Sequence, residues 1–158
     1  MIRLRPAGAA DVAAVTDFLA GLEPSAAWLR FGVGLGVPSR AFVHRLVSRG
    51  EDRGSWVADV DGGVVAHASW TRLPDGVSAE LGIVVAEHWR RSGLGRLLGR
   101  AVGDEACAAG AERLRFEVLP ANLPARSLVT HLWPTTEGRL VDGMVVYDVP
   151  LRRHAHVC

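Results

Sequence analysis

Ala79-Glu80-Leu81-Gly82-Ile83-Val84-Val85-Ala86-Glu87-His88-Trp89-Arg90-Arg91-Ser92-Gly93-Leu94-Gly95-Arg96-Leu97-Leu98 is the stretch on which the fold turns. Its first part is an apolar strand and its last part opens on two glycines and continues at helical spacing, with two arginines in the loop between. A strand that enters a helix this way leaves backbone N–H groups unpaired at the positive end of the helix dipole, beside cationic side chains. An anion belongs there, most naturally a phosphate or pyrophosphate. The Lys-Ser/Thr pair of a Walker loop is absent.

Upstream, Ile2 to Arg5 alternates apolar and charged residues and predicts a first strand. Val12, Val15, Phe18, Leu19 and Leu22 recur at helical spacing, a second helix follows Pro24, and Ser39 caps a third that carries Phe42, Val43, Leu46 and Val47. The glycine-rich Gly32 to Pro38 reads as a loop between them, and Gly32 to Gly36 is a candidate lid. Near residue 54 the period falls to two. Ser55 to Asp61, an Asp61-Gly62 turn and Val64 to Thr71 predict a hairpin, and Val77 to Val85 a further antiparallel strand. On that strand Val77, Ala79, Leu81, Ile83 and Val85 share one face, and Ser78, Glu80, Gly82 and Val84 the other. Because this strand closes an antiparallel meander, Gly93-x-Gly95 is not the dinucleotide fingerprint of a parallel unit.

Downstream, Gly93 to Ala109 is a helix with Leu94, Leu97, Leu98, Ala101 and Val102 on its apolar stripe. Gly110 ends it, and Arg113 to Leu119 is a strand parallel to the one before the helix. Asn122 to Trp133 is a short helix. Thr136 to Val141, the Asp142-Gly143 turn and Met144 to Leu151 close the fold as a hairpin. Residues 1–151 read as one domain and 152–158 as a frayed tail. The fold class is α/β (α+β): a mixed, mainly antiparallel sheet of about seven strands flanked by helices.

Composition narrows the chemistry. A formal net charge of +1 gives no general surface for a polyanion, so nucleic acid is not an expected partner. All 18 basic residues are arginine, which excludes covalent chemistry on a lysine of this chain. No apolar run approaches a membrane span, and no signal-peptide core is present, so a cytoplasmic setting without membrane contact is expected. Cys107 and Cys158 make no disulfide framework and no metal spacing, and the histidines show no paired ligand spacing, so no metal is expected. Trp56 and Trp70 read as core, although Trp70 stands where it could line an acceptor pocket.

With the elements in this order, Arg90-x-x-Gly93-x-Gly95 after the fourth strand resembles the GNAT-type N-acetyltransferase superfamily over essentially the whole chain. Phe116-Glu117-Val118-Leu119-Pro120-Ala121-Asn122 and the helix start at Asn122-x-x-Ala125 carry the likeness further. Phe18 to Leu22 and Ala27 to Phe31 resemble, more weakly, bacterial protein-lysine acetyltransferases. The resemblance implies acetyl-CoA as co-substrate, with the pantetheine arm lying as a pseudo-strand against Val84, Val85 and Ala86. Arg90, Arg91, Ser92, Gly93, Leu94, Gly95 and Arg96 would hold the pyrophosphate, and Asn122 matches an asparagine that contacts the cofactor, although the same residue also reads as an ordinary helix cap. Glu80, a carboxylate in an otherwise apolar strand, lies about 13 Å of strand before Val84 and matches a frequent general base.

The implied reaction is direct acetyl transfer to an amine, with a protein lysine first and a small-molecule amine next, entering beside the helices of residues 24 to 50. A homodimer is compatible with the resemblance. The departure from the pattern is the general acid: the usual tyrosine position is Val129, Trp133-Pro134 replaces the usual Gly-Phe, and Tyr147 lies on the last strand. Val129 keeps a second reading open, a non-catalytic acyl-CoA-binding or regulatory module; Glu80 opposes it.

Overall fold

The computed structural model describes residues 1–31 and 36–151. The candidate lid, apart from Gly36, and the tail of 152–158 lie outside the described residues. Seven strands form one sheet in the order β1-β2-β3-β4-β5-β7-β6. They are β1 (Ile2–Pro6), β2 (Arg53–Val60), β3 (Gly63–Arg72), β4 (Ser78–Val85), β5 (Arg113–Val118), β6 (Arg139–Val141) and β7 (Met144–Pro150). Every neighbouring pair is antiparallel except β4 and β5, which the helix α4 (Leu94–Ala108) connects in parallel. The helices α1 (Val12–Ala20), α2 (Pro24–Phe31), α3 (Arg40–Leu46) and α5 (Leu123–Leu132) complete the described fold.

Strand alternation divides the sheet into two packed faces. Ala79 and Leu81 of β4, with Trp70, Leu114, Phe116 and Tyr147, meet α4 through Leu94, Leu98, Val102 and Ala106, and α5 through Val129. Val84 of β4 and Val57 of β2 meet Val12, Val15, Phe18 and Leu19 of α1, and Val43 of α3, on the opposite face. The face assignment read from the sequence of β4 therefore holds.

Turn chemistry fixes both hairpins. Asp61 (φ 50°) with Gly62 (φ 88°), and Asp142 (φ 49°) with Gly143 (φ 80°), are left-handed pairs, the conformation that matches the twist of two antiparallel strands. Ser39 caps α3 as expected, its side chain accepting a hydrogen bond from the Phe42 N–H. Strand β6 begins at Arg139 rather than Thr136, because the Thr136 N–H still bonds the Trp133 carbonyl in the turn that leaves α5.

One half-buried carboxylate ties α4 to the meander. Glu105 Oε2 accepts hydrogen bonds from the indole N–H groups of Trp56 and Trp70, each at 3.0 Å, and Oε1 accepts one from Arg49. Gly54 makes room for this clamp: a Cβ there would stand 2.1 Å from Glu105 Oε2. Trp70 is 1% exposed and belongs to the core, not to a pocket wall.

Candidate active site

The site originates in a fork of the sheet. Strand β4 stays paired with β3 out to Val85, but its pairing with β5 comprises only Ser78 with Arg113, Ala79 with Leu114, and Glu80 with Arg115. Beyond Glu80 the two parallel strands part. The Ala86 N–H donates to the Val65 carbonyl on the β3 side. Strand alternation then turns the backbone polar groups of Ile83 and Val85 towards the gap and those of Val84 towards β3. Such an edge in a gap asks for an extended partner with its own amide groups.

The gap opens into a cleft of about 680 Å³, walled by Glu80 to Val85 on one side and by Phe116, Glu117 and Val118 on the other, with α5 and the start of α4 beyond. Leu29 and Arg30 of α2 lie along its other margin. Apolar walls with a few polar groups at the two ends suit a long, amphipathic ligand.

At one end stands the loop quoted above. A single helical turn at Glu87–Trp89 leads into Arg91 (φ 64°) and Gly93 (φ 87°), and Gly93 is the left-handed cap from which α4 starts. The Leu94 N–H donates to Ser92 Oγ at 3.5 Å, and Gly93 and Gly95 line the cleft at the start of α4. Gly95 stands at the wall: a Cβ there would meet Leu128 at 3.5 Å and Val85 at 3.9 Å, filling space that the glycine leaves open. Arg90, Arg91 and Arg96 are exposed and line the cleft, and among the described residues none of them is ion-paired. Arg96 Nη1 donates to His131 Nε2 at 2.9 Å, so His131 carries its proton on Nδ1 and steadies the guanidinium. Three guanidinium groups without an ion pair among the described residues and the glycine wall at the start of α4 fit the diphosphate of a coenzyme A.

Glu80 holds the other end, at the fork itself. It faces Arg115 across the parallel pair and Thr71 across the antiparallel one. Glu80 keeps an exposed side chain at the mouth of the fork, and partial desolvation beside the cleft, then the charge of Glu117, holds its carboxyl above the ordinary glutamate range, against the opposing pull of Arg30 and Arg115. A carboxylate raised in this way is a better proton acceptor near neutral pH.

Asn122 lines the cleft and bridges it. Its Oδ1 accepts the Ala125 N–H at 3.2 Å as the cap of α5, and its Nδ2 donates to the Leu29 carbonyl at 3.4 Å. Ala86, Ser92 and Leu94 shape the loop without lining the cleft. The Ser92 hydroxyl bonds the Trp89 carbonyl at 2.5 Å, and the Leu94 side chain is buried in the core. Val129 is a buried cleft-wall residue, while Tyr147 is buried on β7, receives Arg126 Nε at 3.4 Å and does not line the cleft. Arg30, His131, Ser127 and Leu128 join the site unannounced by the sequence; only the i, i+4 spacing of Ser127 and His131 puts two of them on one face of α5. No described helix is long and apolar enough to cross a membrane, and the described residues hold no group of metal-ligating side chains.

Known proteins share this architecture. The GNAT domain of PAT from S. lividans superposes with a TM-score of 0.87 at 22% identity, covering 95% of this chain and 90% of that one. YncA from Salmonella typhimurium, described as a putative acetyltransferase with its cofactor acetyl-CoA, gives 0.75 at 18% identity, covering 99% and 98%. The ribosomal-protein-S18-alanine N-acetyltransferase of Escherichia coli gives 0.70 at 20% identity, covering 99% and 97%. These likenesses concern the fold. A sequence-family model described as the acetyltransferase (GNAT) family matches residues 26–132, more than half of the chain and all of the cleft. The chain with a sheet forked at Glu80 and an arginine-glycine helix start beyond it belongs to the acetyltransferase (GNAT) family.

Proposed function

We propose that this protein transfers the acetyl group of acetyl-CoA to a primary amine by direct attack, with Glu80 as general base. The observation that carries the reading is the fork: one open strand edge runs from a carboxylate to a cluster of unpaired arginines. Ile83 and Val85 offer the edge to the amide-bearing pantetheine arm, and Arg90, Arg91, Arg96 and the N–H groups at Gly93 and Gly95 take the diphosphate. Acetyl-CoA bound there supplies a thioester as an activated acetyl donor.

An alkyl ammonium cannot act as a nucleophile until it loses a proton. Glu80 stands where β4 and β5 part, and it accepts that proton directly or through one water. The nitrogen then forms its bond to the acetyl carbon as the carbon–sulfur bond breaks, and the nitrogen's second proton passes to the departing thiolate. The products are the amide and coenzyme A, with one proton passed to solvent through Glu80. The cleft opens beside α2, where a protein lysine side chain or a small amine can reach Glu80. A thiolate is a good leaving group, so Val129 in the position of a tyrosine acid is compatible with turnover.

Thiol release from acetyl-CoA over a panel of lysine peptides and small amines tests the reading. Release with at least one amine, alongside a rise in melting temperature with acetyl-CoA, supports it. A thermal shift with no release from any amine favours the acyl-CoA-binding module instead, and no shift at all removes both.

A further inference from the structure

One cation in the cleft has no counterpart in the reaction as just described. Arg30 projects from α2 over the face of β4 that carries Glu80, and its guanidinium occupies the space a side chain at position 82 would fill. A Cβ on Gly82 would stand 2.1 Å from Arg30 Nη2 and 2.2 Å from Cζ. The group rests 4.6 Å from the centre of the Phe31 ring. Its hydrogen bonding is meagre: Nη2 reaches Ser69 Oγ at 3.5 Å, and Nε is buried without a partner. Among the described residues it forms no ion pair, although Glu80 is near enough to attract it.

A guanidinium removed from water costs several kcal/mol unless an anion meets it. Burial lowers the pKa of Arg30 to about 10, so the group stays cationic at neutral pH. His67, fully buried behind it, is held neutral by burial and by the Arg30 charge, with a pKa of about 3, and offers no countercharge. Glu117 and Arg115 face Glu80 from β5 rather than Arg30. Arg30 is itself a lining residue of the cleft, and Ser69 is the one side-chain acceptor its guanidinium reaches among the described residues.

We infer that Arg30 receives a carboxylate of the amine acceptor, so that the preferred acceptor carries an anionic group close to its reacting nitrogen. Glu80 and Gly82 are two residues apart on one face of β4, about 7 Å of strand. An amine and a carboxylate joined through one or two carbons bridge that span with a hydrogen bond of about 2.8 Å at each end. The carboxylate lies flat against the guanidinium, and the nitrogen is delivered to Glu80. The same chemistry comes from a free amino acid or from an acidic residue beside the amine in a peptide. This inference rests on the acetyl-transfer reading and narrows its acceptor.

The test compares kcat/KM for thiol release from acetyl-CoA, referred to the unprotonated amine, between amines with and without a neighbouring carboxylate: L-amino acids against their carboxamides, and lysine peptides with aspartate against asparagine beside the lysine. The acids should exceed the amides by about 10- to 100-fold, the worth of a charged hydrogen-bonded pair. An advantage confined to the free amino acids, or to the peptides, identifies the source of the carboxylate. In Arg30→Gln that advantage collapses through KM while the acetyl-CoA thermal shift is retained. Equal rates for acids and amides in the unaltered protein overturn the inference and leave the transfer reading standing, as does an equal loss for both in Arg30→Gln. Absence of release from every amine overturns the two together.

Discussion

Glu80 pairs with Arg115, and this is the last pair that β4 and β5 make. The carboxylate at the centre of the proposed chemistry therefore stands at the apex of the fork. Chain beyond it provides the open edge, and chain before it provides a rigid support of paired strands. The position of the carboxylate relative to the cleft is set by backbone register, not by a flexible loop. That is the placement a general base needs, since its efficiency depends on a fixed distance to the proton it removes.

The charge of Glu117 contributes to the raised pKa of Glu80. Removing that charge in Glu117→Gln should let the Glu80 carboxyl ionise at lower pH. The acidic limb of the kcat/KM profile should move to lower pH, with the plateau retained. A limb that stays in place would assign it to another group.

Gly95→Ala separates folding from binding. In the first turn of α4 the methyl group meets only ordinary contacts, and alanine gains about 0.5–1 kcal/mol in helix propensity. The melting temperature should hold or rise. The methyl group nevertheless stands in the cleft between Val85 and Leu128, so the affinity for acetyl-CoA should fall by about tenfold or more, read by titration calorimetry.

Glu105→Ala should be among the most destabilising single changes away from the cleft. It strands the indole N–H groups of Trp56 and Trp70 and leaves Arg49 without its carboxylate. A loss of about 2–5 kcal/mol is expected from denaturant unfolding, with Glu105→Gln losing less because its amide oxygen still accepts.

Stability should decline in acid in two stages. His67 has its pKa lowered to about 3 by burial first and by Arg30 second, so its contribution is complete above the unfolded value near 6.5 and is lost as pH falls towards 3. Asp11 is held below the ordinary aspartate value, chiefly by its hydrogen bonds from Arg5 and further by the Gly8 N–H. Its contribution is present above about pH 4 and is lost below that. Unfolding free energy against pH should therefore slope from about pH 6.5 downward and steepen below about 4. His67→Gln should flatten the first stage, and Asp11→Asn the second.

Much of this architecture can be read from local pattern. The period of two in β4, the Asp-Gly pairs of both hairpins and the glycines before α4 are each written in neighbouring residues, and each stands where that pattern puts it. The fork is different. The residue pattern of Leu81 to Val85 and of Phe116 to Val118 does not say that they part, because both are good strands; that expectation comes only from the family resemblance, through the pseudo-strand it implies between them. Contacts across long sequence distance were equally hidden. Asn122 reads as a cap, and it is one, but its second bond goes to Leu29 on α2. The pattern of α2 does not show that Arg30 lies over Gly82, and the reading of Trp70 as core is tied down only when Glu105 is seen to hold its N–H. Such features live in tertiary packing, on which single-residue patterns are silent.

The central claim is that Glu80 takes the proton of an amine held beside acetyl-CoA. The most direct measurement is the pH dependence of kcat/KM for thiol release in the unaltered protein and in Glu80→Gln, with acetyl-CoA binding followed in parallel by thermal shift. The account predicts that Glu80→Gln keeps the shift, loses about 10²- to 10⁴-fold in rate and loses the acidic limb. An unchanged rate with an unchanged pH profile would contradict it.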